Sequence, residues 1–157
     1  CKVVGNLPYN ISSPLLFHLV SAANSIDEQV FMLQAEVVER MVAKEGSSDF
    51  SRLSVMLQAR YDMELVLEVP PEAFDPQPKV NSAVVRMIPR RDFTLSYIQW
   101  SALEKVVAAA FSQRRKMLRT NLQAFADRLN LTETELKARA QDISVDRYIE
   151  WARVLAS

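Results

Sequence analysis

The sequence has 157 residues, of which 49% are hydrophobic and 24% are charged, which suits one globular domain or a domain with a small appendage. No run approaches the roughly 18 apolar residues of a membrane span, and no signal segment opens the chain, so we expect a cytoplasmic protein without membrane contact. A single cysteine, Cys1, excludes an internal disulfide framework. With the lone His18, it also argues against a metal site.

The formal net charge is zero, but basic and acidic residues are unevenly distributed along the chain. Residues 1–92 hold 9 Lys/Arg against 12 Asp/Glu, whereas residues 93–157 hold 10 against 7. Eight basic and two acidic residues lie between Arg86 and Arg119. This region suits a polyanion partner on one face, although a solvated helix surface has the same composition.

The first part of the chain alternates predicted strands and helices, which is typical of an α/β layer with a largely parallel sheet. In chain order we predict a strand at 2–5, a turn at 6–9, a helix from Ser12 or Ser13, a strand at 29–33, helices at 36–43 and 52–60, and strands at 63–69 and 82–88. Four of the seven prolines lie in the loop 70–78 between the last two strands. Those two strands are candidates for an antiparallel pair, because the loop is rigid and contains no crossover helix.

From about Phe93 the pattern becomes helical, and we place a domain boundary near residues 90–95. The apolar spacing predicts helices at 97–111, 113–128, 133–139 and 146–155. Thr132 and Glu135 are spaced as a capping box at the start of one of these helices. The predicted organisation is therefore an α/β part over residues 1–92, followed by a small all-helical domain over residues 93–157.

The tetrapeptide Asn6-Leu7-Pro8-Tyr9 follows the first predicted strand, where open parallel sheets bind ligands. The Asn6 side chain offers a carbonyl acceptor, and a residue before proline has an extended backbone carbonyl. Two converging acceptors suit an exocyclic amino group and leave its lone pair free to attack an electrophilic methyl group. Tyr9 adds a flat ring for base stacking, worth about 1–3 kcal/mol. A strand-to-helix turn in which Asn caps and Tyr packs accounts for the tetrapeptide equally well.

Four ordered motifs carry a resemblance to a known family: "GNLPYNISSPLLFHL", "RLSVMLQ", "VPPEAFDPQPKVNSAVVRM" and "FSQRRKMLRTNL". Together they resemble the ribosomal RNA adenine dimethyltransferases over essentially the whole chain. These motifs are most similar to those of the bacterial enzymes that dimethylate two adjacent adenines near the end of small-subunit ribosomal RNA. The resemblance implies the C-terminal half of a Rossmann-like class I methyltransferase sheet, followed by a helical RNA-binding domain.

Residue by residue, the resemblance implies that Asn6 and the backbone around Leu7 and Pro8 receive the adenine amino group, with Asn6 also bordering the methyl donor. Tyr9 is expected to stack on the target base, and Phe74 to close over its other face, as in enzymes that extrude a base. The alternative for Phe74 is packing of its loop against the core.

The resemblance also implies contacts with small-subunit ribosomal RNA or the immature small subunit. Lys79, Asn81 and Ser82 are expected to shape the substrate side of the pocket. A basic helix is expected to present four cations to RNA phosphates: Arg114, Arg115, Lys116 and Arg119. The alternative is a solvated or internally paired basic helix.

The methyl donor of this family is S-adenosylmethionine, and this sequence lacks the glycine-rich loop that would hold it. The only glycines are Gly5 and Gly46, so we expect most of the donor site to lie outside this chain. We also expect the isolated chain to be inactive and to self-associate through an exposed edge of its first strand. Two rival functions are a catalytically silent ribosome-assembly factor and a resistance enzyme that methylates large-subunit RNA.

Overall fold

A computed structural model describes residues 1–7, 16, 18, 20 and 23–157. Pro8, Tyr9 and the predicted helix cap at Ser12 or Ser13 lie outside the described residues. The chain forms two compact units. Residues 1–42 and 60–91 make up the first, here called the sheet unit, and residues 43–59 and 92–157 make up the second, the helical unit.

The sheet unit contains the strands β1 (Lys2–Asn6), β2 (Glu28–Gln34), β3 (Tyr61–Val69) and β4 (Ser82–Pro89), in the order β1-β2-β4-β3. β1 and β2 are parallel, whereas β4 runs antiparallel to both of its neighbours. β1, β2 and β3 therefore run in one direction and β4 in the other, so three of the four described strands agree with the predicted largely parallel sheet, although two of their three pairings are antiparallel. The expected antiparallel pair around the proline-rich loop is confirmed, because a loop without a crossover helix returns the chain in the opposite direction.

One face of this sheet is covered by the helix α1 (Ala35–Val42), which contacts β3 and β4. The helix buries Val38 and Met41, and β2 buries Phe31 and Leu33. Each of these large side chains contributes about 1.5–3 kcal/mol through burial. The described part of this unit also contains two short 3-10 turns, at Ala23–Ser25 and Pro71–Ala73.

The helical unit contains six described α-helices: α2 (Arg52–Gln58), α3 (Tyr97–Ala110), α4 (Leu118–Asn121), α5 (Ala126–Leu129), α6 (Glu133–Lys137) and α7 (Val145–Ala156), with 3-10 turns at Gln123–Phe125 and Ala140–Asp142. Its core is aromatic. The Tyr148 ring lies edge-on to Trp151 at 5.2 Å between centroids and 6.0 Å from Phe111. No helix in the described part of the chain is both long and apolar enough to span a membrane.

The compact units differ from the predicted division at residue 92 in one segment, residues 43–59. This segment lies between two strands of the sheet unit in sequence, yet it packs with the helices. The Phe50 ring lies 6.4 Å from the Phe111 ring, and Gly46 N donates a hydrogen bond of 2.7 Å to Gln141 O. Its apolar residues are buried in the core of the helical unit, so these 17 residues fold there.

The predicted helix at 113–128 is also wrong. Residues 111–117 form a turn, and the remainder is divided between α4, the 3-10 turn at Gln123–Phe125, and α5. The Asn121 side chain explains the break, because its Nδ2 donates to Ala110 O at 2.8 Å and to Gln113 O at 2.9 Å. The amide thus satisfies Ala110 O at the end of α3, and it occupies Gln113 O in place of a backbone N–H of a continuing helix.

The start of α6 confirms the predicted capping box. Thr132 Oγ1 accepts from Glu135 N at 3.1 Å, and Thr132 N donates to Glu135 Oε1 at 2.9 Å. Arg147 then binds the same carboxylate, with Nε donating to Oε2 at 2.6 Å and Nη2 to Oε1 at 3.0 Å. The Glu135 side chain is only 13% exposed, and the hydrogen bonds from Arg147 lower the pKa of its carboxyl group.

We expect Glu135→Gln to lower the free energy of unfolding by about 1–3 kcal/mol at pH 7, because the neutral amide retains one acceptor for Arg147 and loses the second acceptor together with the ion pair. Since the folded-state pKa of Glu135 is depressed, its contribution is complete above the ordinary value of 4.5 and disappears as the pH falls through the folded-state value. The free energies of unfolding of the wild type and Glu135→Gln, measured by urea titration, should therefore converge at low pH. The exposed neighbour Glu133→Gln is the matched control, and an equal loss in that variant would contradict this role for Glu135.

Candidate functional site

A cleft of about 370 Å³ opens in the sheet unit and is lined by seven described residues: Asn6, Leu7, Met32, Phe74, Pro76, Pro78 and Ser82. The lining comes from the carboxyl ends of β1 and β2, the start of β4 and the proline-rich loop. Because β1 and β2 are parallel and β4 is antiparallel, these three strand ends meet at one edge of the sheet. This is the position at which open α/β sheets bind ligands.

Pairing between β1 and β2 fixes the position of Asn6. Asn6 lies opposite Met32 in the parallel register, and Leu7 N extends the pairing by donating to Met32 O at 3.1 Å. The Leu7 side chain is buried while Asn6 is exposed. Burial of the neighbouring side chain therefore holds the backbone, and Asn6 stands at the mouth of the cleft.

The proline-rich loop carries Phe74 to the opposite wall of the cleft. Phe74 N donates to Pro71 O at 3.1 Å, and Ala73 N donates to Pro70 O at 3.1 Å, closing the 3-10 turn. Each proline fixes its own φ, so the loop presents the half-buried aromatic ring with little conformational freedom.

The predicted substrate residues 79–82 divide into two groups. Ser82 is buried and lines the cleft, whereas Lys79 and Asn81 are exposed and do not line it. Asn81 has a backbone role, because its carbonyl accepts a hydrogen bond of 2.9 Å from Ala35 N at the end of β2.

Sequence reasoning missed three lining residues, Met32, Pro76 and Pro78. The sequence could have indicated Met32 as a lining residue, since it lies near the carboxyl end of a strand parallel to the one that carries Asn6.

The cleft is uncharged. None of its described lining residues is a titratable acid or base, and the two with polar side chains are Asn6 and Ser82. The shifted pKa of Glu28, lowered by a hydrogen bond from Arg86, belongs to the opposite end of β2. An apolar cleft with an amide at its mouth suits a flat heterocycle that carries an amino group.

A second candidate site is the exposed turn at residues 112–117 of the helical unit, here called the basic turn. Arg114, Arg115 and Lys116 lie in this turn rather than on the predicted helix, and Arg119 follows on α4. All four side chains are exposed. Leu118 and Leu122, which lie on the same segment as Arg119, are both 0% exposed.

The fold brings two further cations to the basic turn. Leu118 N donates to Ala138 O at 2.8 Å, which places Lys137 and Arg139 beside the turn. Arg139 Nε also donates to Arg115 O at 3.1 Å. No spacing signal in the sequence indicated this, because the two segments lie about 20 residues apart and meet only after folding.

A cleft at the strand ends of an α/β sheet is the ligand-binding arrangement of open Rossmann-like folds. The sequence profile of the family described as "Ribosomal RNA adenine dimethylase" matches residues 1–157. The chain therefore belongs to the ribosomal RNA adenine dimethylase family.

Among curated relatives, "Ribosomal RNA small subunit methyltransferase A" from Burkholderia mallei (strain SAVP1) is 55% identical over 158 residues, covering 99% of this chain and 58% of the relative. The protein of the same name from Burkholderia lata is also 55% identical, with the same coverage. The chain thus spans 58% of the length of these relatives.

Two solved structures share the fold. A dimethyladenosine transferase from Plasmodium falciparum has a TM-score of 0.81 at 24% identity, covering 96% of this chain and 64% of the other. The 23S rRNA methyltransferase ErmE has a TM-score of 0.66 at 22% identity, covering 99% of this chain and 65% of the other.

Proposed function

We propose that the full-length protein methylates the exocyclic amino group of adenine in small-subunit ribosomal RNA, in the bacterial cytoplasm. The target assigned by the resemblance is the pair of adjacent adenines near the end of that RNA. The sheet unit serves as the target-base half of the catalytic domain, and the helical unit docks on RNA. The supporting observation is the uncharged cleft that unites Asn6, Leu7 and Phe74, and the relatives' name supports the small subunit.

In the proposed reaction the Asn6 amide oxygen accepts one N–H of the adenine amino group, and a backbone carbonyl in the Leu7–Pro8 segment accepts the other. Both acceptors direct the nitrogen lone pair towards the methyl group. Phe74 packs against the base and limits its orientation, and Tyr9 is proposed to stack on the other face. Positioning and electrostatics supply the acceleration, without a covalent intermediate.

The methyl donor is proposed to be S-adenosylmethionine, which supplies an electrophilic methyl group on sulfur. The described lining of the cleft has no carboxylate for the donor's ribose hydroxyls, so these residues fit the adenine and not the donor. Asn6 is the residue of this chain proposed to border the donor. The remaining donor-binding residues are proposed to lie in the part of the relatives that this chain does not span.

An intact cleft favours catalysis over the rival function of a silent assembly factor, which has no use for an amine-binding turn. The large-subunit resistance enzyme is not favoured, because the likeness to ErmE is one of fold alone.

We expect Asn6→Ala in the full-length protein to lower the rate constant of methyl transfer to immature small subunits by about 10²–10³, the usual effect of removing one aligned polar group from a reacting centre. Affinity for the subunit should change little, since the reacting base is the one RNA group that Asn6 is proposed to contact. Single-turnover transfer of labelled methyl groups measures the rate. Gln77→Ala, an exposed amide that does not line the cleft, is the matched control. Wild-type rates in Asn6→Ala would refute the mechanism.

The basic turn and Arg119 are proposed to bind RNA phosphates. Arg119→Gln should weaken binding to small subunits and reduce the slope of log K against log salt by about 0.7–0.9, one phosphate contact. Filter binding at several salt concentrations measures both quantities. Lys105→Gln, an exposed cation of α3 outside the turn, should leave the slope unchanged. Equal slopes for wild type and Arg119→Gln would rule out this contact.

The isolated chain is proposed to self-associate through β1. β1 is an edge strand of the described sheet, and Val4 on it is 77% exposed. An uncovered apolar edge is an association hazard that a charged residue reduces. Sedimentation of residues 1–157 should show oligomers that Val4→Lys diminishes, and a concentration-independent monomer would contradict the proposal.

A further inference from the structure

We propose that Asn121 is a positioning residue that pre-organises the basic turn for RNA, an inference that rests on the proposed RNA-docking role. Its Nδ2 donates to Ala110 O at 2.8 Å and to Gln113 O at 2.9 Å. The first acceptor is the last residue of α3, and the second lies inside the turn. One amide therefore ties the turn to the end of a helix.

The Asn121 backbone is itself held firmly. It closes the short helix α4, with its N donating to Met117 O at 3.2 Å. Leu118 and Leu122, on either side of it, are 0% exposed. The Asn121 side chain therefore extends from a backbone segment that is anchored in the core of the helical unit.

The Asn121 amide acts on the turn through its N–H donors. Its Oδ1 is buried and has no hydrogen-bond partner among the described residues, so the oxygen makes no hydrogen bond to the turn. The two carbonyl acceptors also fix which end of the amide is nitrogen, because a carbonyl oxygen facing them would accept nothing.

Other contacts complete the arrangement and give the cations different roles. Arg114 Nη2 donates to Ser48 O, so this guanidinium is a second tether of the turn. Arg115 and Lys116 are exposed, and their side chains form no hydrogen bond or ion pair with described residues. Lys116 N donates to Gln113 O at 3.0 Å, the same carbonyl that Asn121 holds. The turn thus has Gln113 O occupied by two internal donors, while the side chains of Arg115 and Lys116 remain exposed.

A turn that is already ordered loses little further conformational entropy when it contacts RNA. This smaller entropy cost raises the affinity without adding a phosphate contact. Removing a positioning residue should therefore lower affinity while the salt dependence stays constant. Removing a contacting cation lowers both. This difference separates Asn121 from Arg115.

The test uses Asn121→Leu in the full-length protein, because Leu is uncharged, similar in size and lacks both donors. Binding to immature small subunits should weaken about tenfold with an unchanged salt slope. Tryptic cleavage at the three basic residues of the turn should accelerate, since the turn is no longer clamped. Gln123→Leu, an exposed amide two residues further on, is the matched control and should behave as wild type. Arg115→Gln should reduce the slope by about 0.7–0.9 and leave cleavage elsewhere in the turn unchanged.

Unchanged affinity or unchanged cleavage in Asn121→Leu would overturn the proposal, and so would a reduced salt slope, which would make Asn121 a contact residue. If the Leu variant does not fold by circular dichroism, Asn121→Ser is measured instead, since its hydroxyl can serve at most one of the two carbonyls. If the wild-type protein fails to bind small subunits, the proposed function fails, whereas the cleavage rates still decide whether Asn121 holds the turn.

Discussion

The candidate site depends on the parallel pairing of β1 with β2, which continues through the hydrogen bond from Leu7 N to Met32 O. This pairing brings the carboxyl ends of both strands to one edge of the sheet, and β4 starts at the same edge because it runs antiparallel. Asn6 therefore faces a cleft whose other wall is the Phe74 loop. A shift of β1 by one residue would exchange the faces on which Asn6 and Leu7 lie, and Asn6 would no longer line the cleft.

The two units offer different chemistry to a nucleic acid. The cleft is apolar and uncharged, which suits an unstacked base and the amine it carries. The helical unit offers free cations on a turn whose carbonyls are occupied by Asn121 and Arg139. Under the proposed function, phosphate contacts would supply affinity and the base pocket would supply selectivity from separate parts of the chain, a division common in nucleic-acid recognition.

The sequence alone was sufficient to predict features that depend on residues close together in the chain or within a motif. Strands and helices followed from apolar spacing, the capping box followed from Thr132 and Glu135, and the motif resemblance brought Asn6 and Phe74 together although 68 residues separate them. It failed where distant contacts decided the outcome. The start of the helix predicted at 113–128 is instead a turn whose Gln113 O accepts from the Asn121 amide, and residues 43–59 pack in the helical unit, where the Phe50 ring lies near Phe111. No periodicity encodes either contact, because each depends on partners that meet only in the folded chain.

In the proposed mechanism the cleft receives the target adenine with its amino group at Asn6. A structure of the full-length protein bound to the target region of small-subunit RNA would test this arrangement. We predict an extruded adenine in the cleft, with its exocyclic nitrogen about 2.9 Å from Asn6 Oδ1 and its ring against Phe74. An adenine bound elsewhere, or one whose amino group points away from Asn6, would contradict it.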